Sequence, residues 1–187
     1  MRLCGLEDVA KEICIPMLGR LMHDDKGNTF SSNYSGRAGE YINSISRGDL
    51  NGILLTEAEK HENVTLYFNK KCEKIDIINT VSYFLDSETK EEFSVSADVI
   101  FGSDGAGSSL RKSYVSERNF LFSYSQNYLN HGYKELEIPA DKTGKHQISK
   151  AHLHIWPRGD FMLIALPNMD GSFTAVSYTH LTLPTTA

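Results

Sequence analysis

The amino-acid sequence predicts a mixed α/β fold, and three patterns support this prediction. Apolar residues recur at helical spacing in residues 6–14 and again after Ser46. From Val64 onward the apolar period changes to two, which indicates strands. Residues 99–101 form an apolar run, suited to a strand buried on both faces, that leads into a glycine-rich turn and a helix near Ser108. Helices interspersed with strands in this way are typical of mixed architectures.

The first elements follow from local signals. The helix over residues 6–14 should end before Pro16, because proline disfavours helical backbone in the residue that precedes it. Residues 17–22 and 30–34 are predicted as two strands around a loop, residues 24–28, which is rich in turn-forming residues.

A second helix is predicted to begin at Ser46. Ser46 followed by Asp49 resembles a capping box, with aspartate in place of the usual glutamate or glutamine. One apolar stripe is predicted on this helix, formed by Leu50, Ile53, Leu54 and Ala58.

Strands dominate the remainder of the chain. Val64, Leu66 and Phe68 alternate with polar neighbours and predict a strand. Further short strands, with a hairpin turn over residues 86–92, are predicted at residues 75–78, 81–85 and 93–97. After about Tyr124 a second β-sheet part is predicted, with strands at residues 152–156 and 161–166 joined by a turn at 157–160.

Composition excludes several classes of function. The net charge is −5, with 19 basic and 24 acidic residues, and no lysine or arginine block exceeds two, so a nucleic-acid surface is not expected. The three widely spaced cysteines, Cys4, Cys14 and Cys72, form no CxxC pair and favour a reducing compartment. No apolar run approaches the roughly 18 residues that a membrane-spanning helix needs.

The glycine-rich turn, residues 102–109, is the strongest chemical signal. Its glycines permit positive φ and close approach to a ligand, and the following helix N-terminus favours an anion such as pyrophosphate. The spacing is not that of the G-x-G-x-x-G fingerprint, so a purely structural tight turn is an equal alternative. Asp104 is unfavourable beside a phosphate unless its carboxylate accepts hydrogen bonds from ribityl or ribose hydroxyls or from backbone N–H groups.

These residues support a resemblance to a known family. Residues 100–111 resemble the Asp-Gly motif of flavoprotein monooxygenases of the para-hydroxybenzoate hydroxylase class. Longer runs between about residues 3 and 175 resemble the kynurenine 3-monooxygenase family in particular, namely residues 5–8, 15–17, 20, 41–42, 46–47, 54–56, 58–60, 124–126, 131–133, 153–158 and 165–169.

The resemblance implies an FAD enzyme that consumes NADPH and O₂ to hydroxylate L-kynurenine to 3-hydroxykynurenine, within tryptophan catabolism and NAD biosynthesis. It implies part of a Rossmann-like FAD-binding domain over residues 1–120, including substrate-contacting strands at 17–34. Residues 121–175 would be part of a β-sheet substrate domain of the aromatic hydroxylase type. The chain is expected to be an incomplete piece, inactive alone, of a cytoplasmic bacterial protein or of a eukaryotic protein on the mitochondrial outer membrane.

The resemblance also implies a substrate site. Arg20 matches an arginine that clamps the amino-acid carboxylate, and Tyr34 matches a tyrosine that hydrogen-bonds the same group. Met162, Ile164 and Leu166 share one strand face and would roof the aromatic pocket. A surface arginine and ordinary sheet-core residues are the alternative interpretations. No catalytic residue is assigned.

The cofactor residues follow from the same resemblance. Arg47 matches an FAD-contacting arginine at the start of the second helix. Cys72 stands where the family has a leucine that contacts the adenine side of FAD through its backbone. Asp104, Gly105 and Ser109 would have the roles of the Asp-Gly motif, with Ser109 replacing a threonine.

Three further interpretations concern a histidine pair, the last twelve residues and the competing functions. His152 and His154 share a strand face, but without a further ligand nearby they are predicted to be ordinary strand histidines, and no metal is expected. Residues 176–187 resemble a translated sequencing adapter and are predicted to be a non-native tail, the alternative being an ordinary strand and tail. The competing functions are another flavin-dependent aromatic monooxygenase and a non-catalytic β-rich domain.

Overall fold

The computed structural model describes residues 4–35, 37, 39–129 and 131–180. These residues form two compact units, one from the described residues up to Val64 together with those from Tyr128 on, and the other spanning Thr65–Asn127. This division differs from the predicted domain boundary at residue 120, which stays a prediction.

The described residues form three helices and eleven strands. In chain order these are α1 (Glu7–Glu12), β1 (Ile15–Met17), β2 (Gly19–His23), β3 (Thr29–Asn33), β4 (Ile42–Ser44), α2 (Arg47–Glu59), β5 (Lys70–Asp76), β6 (Val81–Asp86), β7 (Glu92–Ser96), α3 (Ser109–Ser116), β8 (His131–Ile138), β9 (His152–Arg158), β10 (Phe161–Pro167) and β11 (Phe173–His180).

A six-stranded sheet is the centre of the first unit. Its strand order is β3-β2-β9-β10-β11-β8, with β2 and β9 parallel and every other pair antiparallel. One face holds a core of Ala165, Phe173 and Ala175. Four partly buried apolar residues pack against this core: Ile138, Ile148, Trp156 and Leu163. The predicted strands at 17–34 therefore join the same sheet as the later strands, although more than a hundred residues separate them.

The second unit contains an antiparallel sheet of order β5-β6-β7 and the helix α3, which packs against β5. The β5–β6 register shifts between Cys72 and Lys74, so β5 contains a bulge. An ion pair joins Lys70, the first residue of β5, to Asp86, the last residue of β6. The Asp86 carboxylate also accepts the backbone N–H groups of Glu88 and Thr89 and so holds the turn that was predicted at 86–92.

The predicted helix starts at Ser46 and near Ser108 are confirmed. The Ser46 hydroxyl accepts the Asp49 N–H at 3.3 Å and begins α2. The Ser108 hydroxyl accepts the Arg111 N–H at 3.1 Å and begins α3, at the predicted position. A local hydrogen bond of this kind needs no distant partner, which is why sequence alone predicts it.

Two predicted strands are wrong. Residues 64–68 and 99–101 form no strand, and Phe101 is 90% exposed. Apolar character alone does not make a strand, because a strand also needs a hydrogen-bonding neighbour, and no described strand pairs with either segment. The apolar stripe of α2 is only partly covered: α1 contacts α2, and Leu50, Ile53 and Ala58 are half-buried, whereas Leu54 is 40% exposed.

The segment predicted to be adapter-derived lies partly outside the described residues. Residues 176–180 form the second half of β11 and pair with β8 along their whole length. Residues 181–187 are not described. The non-native origin of this segment stays a prediction.

Candidate functional site

One face of the six-stranded sheet, opposite its core, carries all five predicted substrate residues. We call this the open face and define it by Arg20, Tyr34, Met162, Ile164 and Leu166. The register places Arg20 beside Leu153 of β9, and Ile155, two residues further along β9, beside Ile164. Side chains two residues apart in a strand point to the same side, so these residues share a face although they lie on different strands.

Arg20 and Tyr34 are in direct contact on the open face. The Arg20 guanidinium carbon lies 4.7 Å from the centre of the Tyr34 ring. The Tyr34 hydroxyl is buried and has no hydrogen-bond partner among the residues that the structure describes. Burial raises the pKa of Tyr34, while the nearby Arg20 charge acts in the opposite direction. A buried hydroxyl without a partner is costly, so this pair is suited to a ligand oxygen.

The three predicted roof residues of β10 form an apolar surface that is not the core of the sheet. Along β10 the fully buried side chains are Ala165 and Pro167, which point to the other face. Ile164 and Leu166 are half-buried and Met162 is 37% exposed. The interpretation of these three as ordinary core residues is therefore less favoured than that of an accessible apolar surface.

Arg47 lies at a cleft beside the open face. The cleft has a volume of about 240 Å³ and is lined by the start of α2, by β8 and by the ends of β10 and β11, including Leu166 and Val176. Arg47 Nη1 is 3.9 Å from Glu135 Oε2, a long and exposed ion pair that leaves the guanidinium accessible to a ligand. A predicted cofactor residue and a predicted substrate residue thus line the same cleft.

The other predicted cofactor residues lie together in the second unit. Asp104 Oδ2 accepts the Ser109 N–H at 2.7 Å. A hydrogen bond from the Ser108 hydroxyl, followed by backbone N–H groups, lowers the pKa of Asp104, which therefore stays ionised. Gly105 has φ of +75°, a conformation that glycine adopts without strain. The Ser109 hydroxyl donates to the Cys72 carbonyl at 2.8 Å.

This arrangement fits the hydroxyl-bearing part of a flavin nucleotide better than its phosphates. The first turn of α3 already donates N–H groups to Asp104 and to the Ser108 hydroxyl, so Asp104 occupies the place that an anion would take. An ionised carboxylate has about four acceptor positions, so Asp104 can still accept from ligand hydroxyls. A Cβ built on Gly105 or Gly107 meets nothing within 4 Å, so the turn is open to a ligand there.

Sequence reasoning missed one residue that lines the cleft and one hydrogen-bond network on the core face of the sheet. Glu135 pairs with Arg47, and only the strand register brings them together. The buried His154 joins His23 at 2.8 Å and the Ser149 carbonyl at 2.8 Å, a network that the spacing of His152 and His154 does not predict.

The described residues contain neither a candidate metal site nor a candidate membrane-spanning helix. No group of three or more histidine, cysteine, aspartate or glutamate side chains in the described residues could hold a metal ion. No described helix is long and apolar enough to cross a membrane.

Comparison with known proteins gives consistent relatives. The chain is 41% identical over 174 residues to kynurenine 3-monooxygenase of Flavobacterium psychrophilum, covering 93% of this chain and 38% of that protein. It is 44% identical over 176 residues to the enzyme of the same name from Dictyostelium discoideum, covering 93% of this chain and 36% of that protein. No family model matches. The chain thus spans well under half the length of these relatives.

Solved structures share the fold at low sequence identity. A flavoprotein/dehydrogenase from Cytophaga hutchinsonii superposes with a TM-score of 0.70 at 16% identity, covering 96% of this chain and 43% of that one. Klebsiella pneumoniae HpxO complexed with FAD and uric acid gives 0.66 at 15% identity, covering 98% and 46%. The mixed α/β fold is therefore confirmed, and the chain is similar in sequence to one part of these kynurenine 3-monooxygenases.

Proposed function

We propose that this chain is part of an FAD-dependent monooxygenase that uses NADPH and O₂ to hydroxylate L-kynurenine to 3-hydroxykynurenine. The similarity to proteins of that name supports the reaction. The observation that carries the proposal is that the open face combines the Arg20–Tyr34 pair with an accessible apolar surface on β10.

The two ends of L-kynurenine match the two parts of the open face. The carboxylate binds the Arg20 guanidinium, whose planar fork suits a two-oxygen acceptor. It also accepts the Tyr34 O–H, which gives that buried hydroxyl the partner it lacks among the described residues. The aromatic ring packs on Met162, Ile164 and Leu166, which exclude water from it.

Five residues of the chain would hold FAD. Arg47 binds an anionic group, the Cys72 backbone contacts the adenine side, and Asp104 accepts hydroxyl hydrogen bonds beside Gly105 and Ser109. When bound, FAD supplies the redox chemistry between NADPH and O₂. The relatives come from bacteria and eukaryotes, so the predicted compartment, cytoplasm or mitochondrial outer membrane, depends on the source of the chain.

Substrate-stimulated NADPH oxidation tests the proposal. The protein from the complete reading frame that contains this chain should oxidise NADPH faster with L-kynurenine and release 3-hydroxykynurenine. Arg20→Gln should raise KM for L-kynurenine by at least tenfold, since a charged hydrogen bond contributes about 1.5–3 kcal/mol. Arg37→Gln is the matched control, because Arg37 is an exposed arginine paired only with Glu40 among the described residues. Stimulation by 4-hydroxybenzoate but not by L-kynurenine would instead indicate another flavin-dependent aromatic monooxygenase.

A further inference from the structure

Two serines of α3 satisfy the free edge of β5 at its bulge. The strand β5 lies at the edge of its sheet, and its register shifts between Cys72 and Lys74. Backbone groups at an edge and at a bulge have no neighbouring strand to bind. The Ser109 hydroxyl donates to the Cys72 carbonyl on one side of the bulge, and the Ser113 hydroxyl accepts the Ile75 N–H at 3.0 Å on the other. We call Ser109 and Ser113 the serine clamp.

The two serines are also bonded to each other along the helix. The Ser113 hydroxyl donates to the Ser109 carbonyl at 2.9 Å while it accepts from Ile75, so its single proton and one acceptor position are both used. Ser113 is buried, and its hydrogen bond with Ile75 is buried as well. An alanine at this position would leave a buried N–H without an acceptor, which is the costly case.

The clamp meets the glycine-rich turn at Ser109. The Ser109 N–H donates to Asp104, its hydroxyl donates to Cys72, and its carbonyl accepts from Ser113. Gly102 closes the turn against the same helix, since a Cβ there would lie 2.5 Å from a Leu110 side-chain carbon. A shift of α3 along β5 would therefore change the distance between the Cys72 carbonyl and the Asp104 carboxylate.

We propose that Ser113 is a positioning residue, which through the serine clamp fixes the Cys72 backbone relative to the Asp104 turn. Ser113 touches no ligand in this role. The consequence for the cofactor rests on the proposed function. If Cys72 contacts the adenosine part of FAD and Asp104 contacts its ribityl part, the clamp fixes the distance between these two contacts.

Hydrogen exchange on the full 187-residue chain tests the clamp without any flavin. In Ser113→Ala the Ile75 amide should exchange at least about tenfold faster, and the Ser109 amide should also exchange faster, because both lose their fixed geometry. Amides in the β6–β7 ladder should keep their rates, and Ser113→Thr, which retains the hydroxyl, should restore slow exchange. Ser116→Ala is the matched control, since the Ser116 hydroxyl bonds only carbonyls of its own helix among the described residues.

Other results of these experiments would overturn either the serine clamp or its consequence for FAD. Unchanged Ile75 and Ser109 exchange in Ser113→Ala would overturn the proposal, and so would a uniform increase over both strand ladders, which indicates a merely structural role. If Ser113→Ala does not fold, Ser109→Ala tests the clamp instead. In this variant the Cys72 thiol should react several-fold faster with iodoacetamide, and an unchanged rate would overturn the proposal. A flavin fluorescence titration then tests the cofactor clause separately: weaker FAD binding in Ser113→Ala supports it, whereas equal binding with faster exchange refutes that clause alone.

Discussion

A single buried atom, the Tyr34 hydroxyl, distinguishes a binding role from a packing role at the residue scale. It has no partner among the described residues, so removing it costs no hydrogen bond within that part of the chain. We expect Tyr34→Phe to leave the free energy of unfolding unchanged or to raise it by up to about 1 kcal/mol. Under the proposed function, the same change in the protein from the complete reading frame should weaken L-kynurenine binding. Urea unfolding and substrate titration measure the two effects.

Ser172→Ala is the contrasting variant for this prediction. The Ser172 hydroxyl is buried but binds Asp170 at 2.7 Å, so its removal should lower the free energy of unfolding by about 1 kcal/mol. If Tyr34→Phe destabilises the chain as much as Ser172→Ala does, the Tyr34 hydroxyl has an internal partner and is not kept for a ligand.

The buried histidine pair makes stability depend on pH. The Ser149 carbonyl can only accept, so His154 Nε2 carries the proton and His154 Nδ1 accepts from His23 Nε2. Burial lowers the pKa of His154, and burial followed by the Arg158 charge lowers that of His23. Since both are lowered, the unfolded chain takes up protons first. Stability should be complete above about pH 6.5 and fall as the pH drops below it, by at most about 1.4 kcal/mol per pH unit for each proton.

The single tryptophan provides the measurement for this pair. Trp156 stacks on His23 with ring centres 4.3 Å apart, so its fluorescence follows unfolding of the sheet around it. Urea unfolding between pH 7.5 and 5 should show the loss of stability. His23→Gln, which keeps a donor for His154, should reduce the slope of the unfolding free energy against pH. His61→Gln, at an exposed position, should leave the slope unchanged. An equal slope in all three proteins would exclude the pair as its cause.

At the scale of an element, the β5–β6 hairpin depends on Asp86. Its hydrogen bond from Lys70, then those from the Glu88 and Thr89 N–H groups, lower the pKa of Asp86 to about 2. An unfolded aspartate has a pKa of about 3.9. The contribution of Asp86 to stability is therefore present above about pH 4 and is lost as the pH falls towards 2.

Asp86→Asn should remove this part of the acid sensitivity. The amide can still accept the turn N–H groups but loses the Lys70 charge pair, so stability falls at pH 7 and changes less between pH 4 and 2. Circular dichroism during acid titration measures the folded fraction of each variant over this pH range. Asp76→Asn is the matched control, because Asp76 holds the Ile78 and Asn79 turn in the same way and has no ion pair among the described residues. Equal effects of the two variants would contradict the role of the charge pair.

The elements also show what the sequence can predict. The turn at Asp86 and the caps at Ser46 and Ser108 were predictable, because each is made of groups only a few residues apart. The strand predicted at residues 99–101 was wrong, because pairing depends on a neighbour elsewhere in the chain.

The site was predictable only as far as the family resemblance extends. That resemblance named Arg20 and Ile164, and the strand register then placed them on one face. It could not name Glu135 or Ser113, because their partners are fixed by a sheet register and by a bulge, neither of which leaves a local pattern in the sequence.

At the scale of the whole molecule, the predicted FAD contacts divide between the two compact units. Arg47 belongs to the first unit, whereas Cys72, Asp104 and Ser109 belong to the second. Under the proposed function each unit therefore supplies only part of the FAD contacts. The chain also spans only about 38% of the length of the Flavobacterium psychrophilum relative, and under the proposed function the remaining part of such a protein supplies further FAD contacts.

We therefore expect the isolated chain to bind FAD with a Kd above about 1 µM. Quenching of flavin fluorescence on titration with the chain measures this Kd, and the protein from the complete reading frame should bind at least tenfold more tightly under the same conditions. Asp104→Asn should weaken even the residual binding, because a neutral amide accepts hydroxyl hydrogen bonds less strongly than a carboxylate. Submicromolar binding by the isolated chain would contradict this expectation.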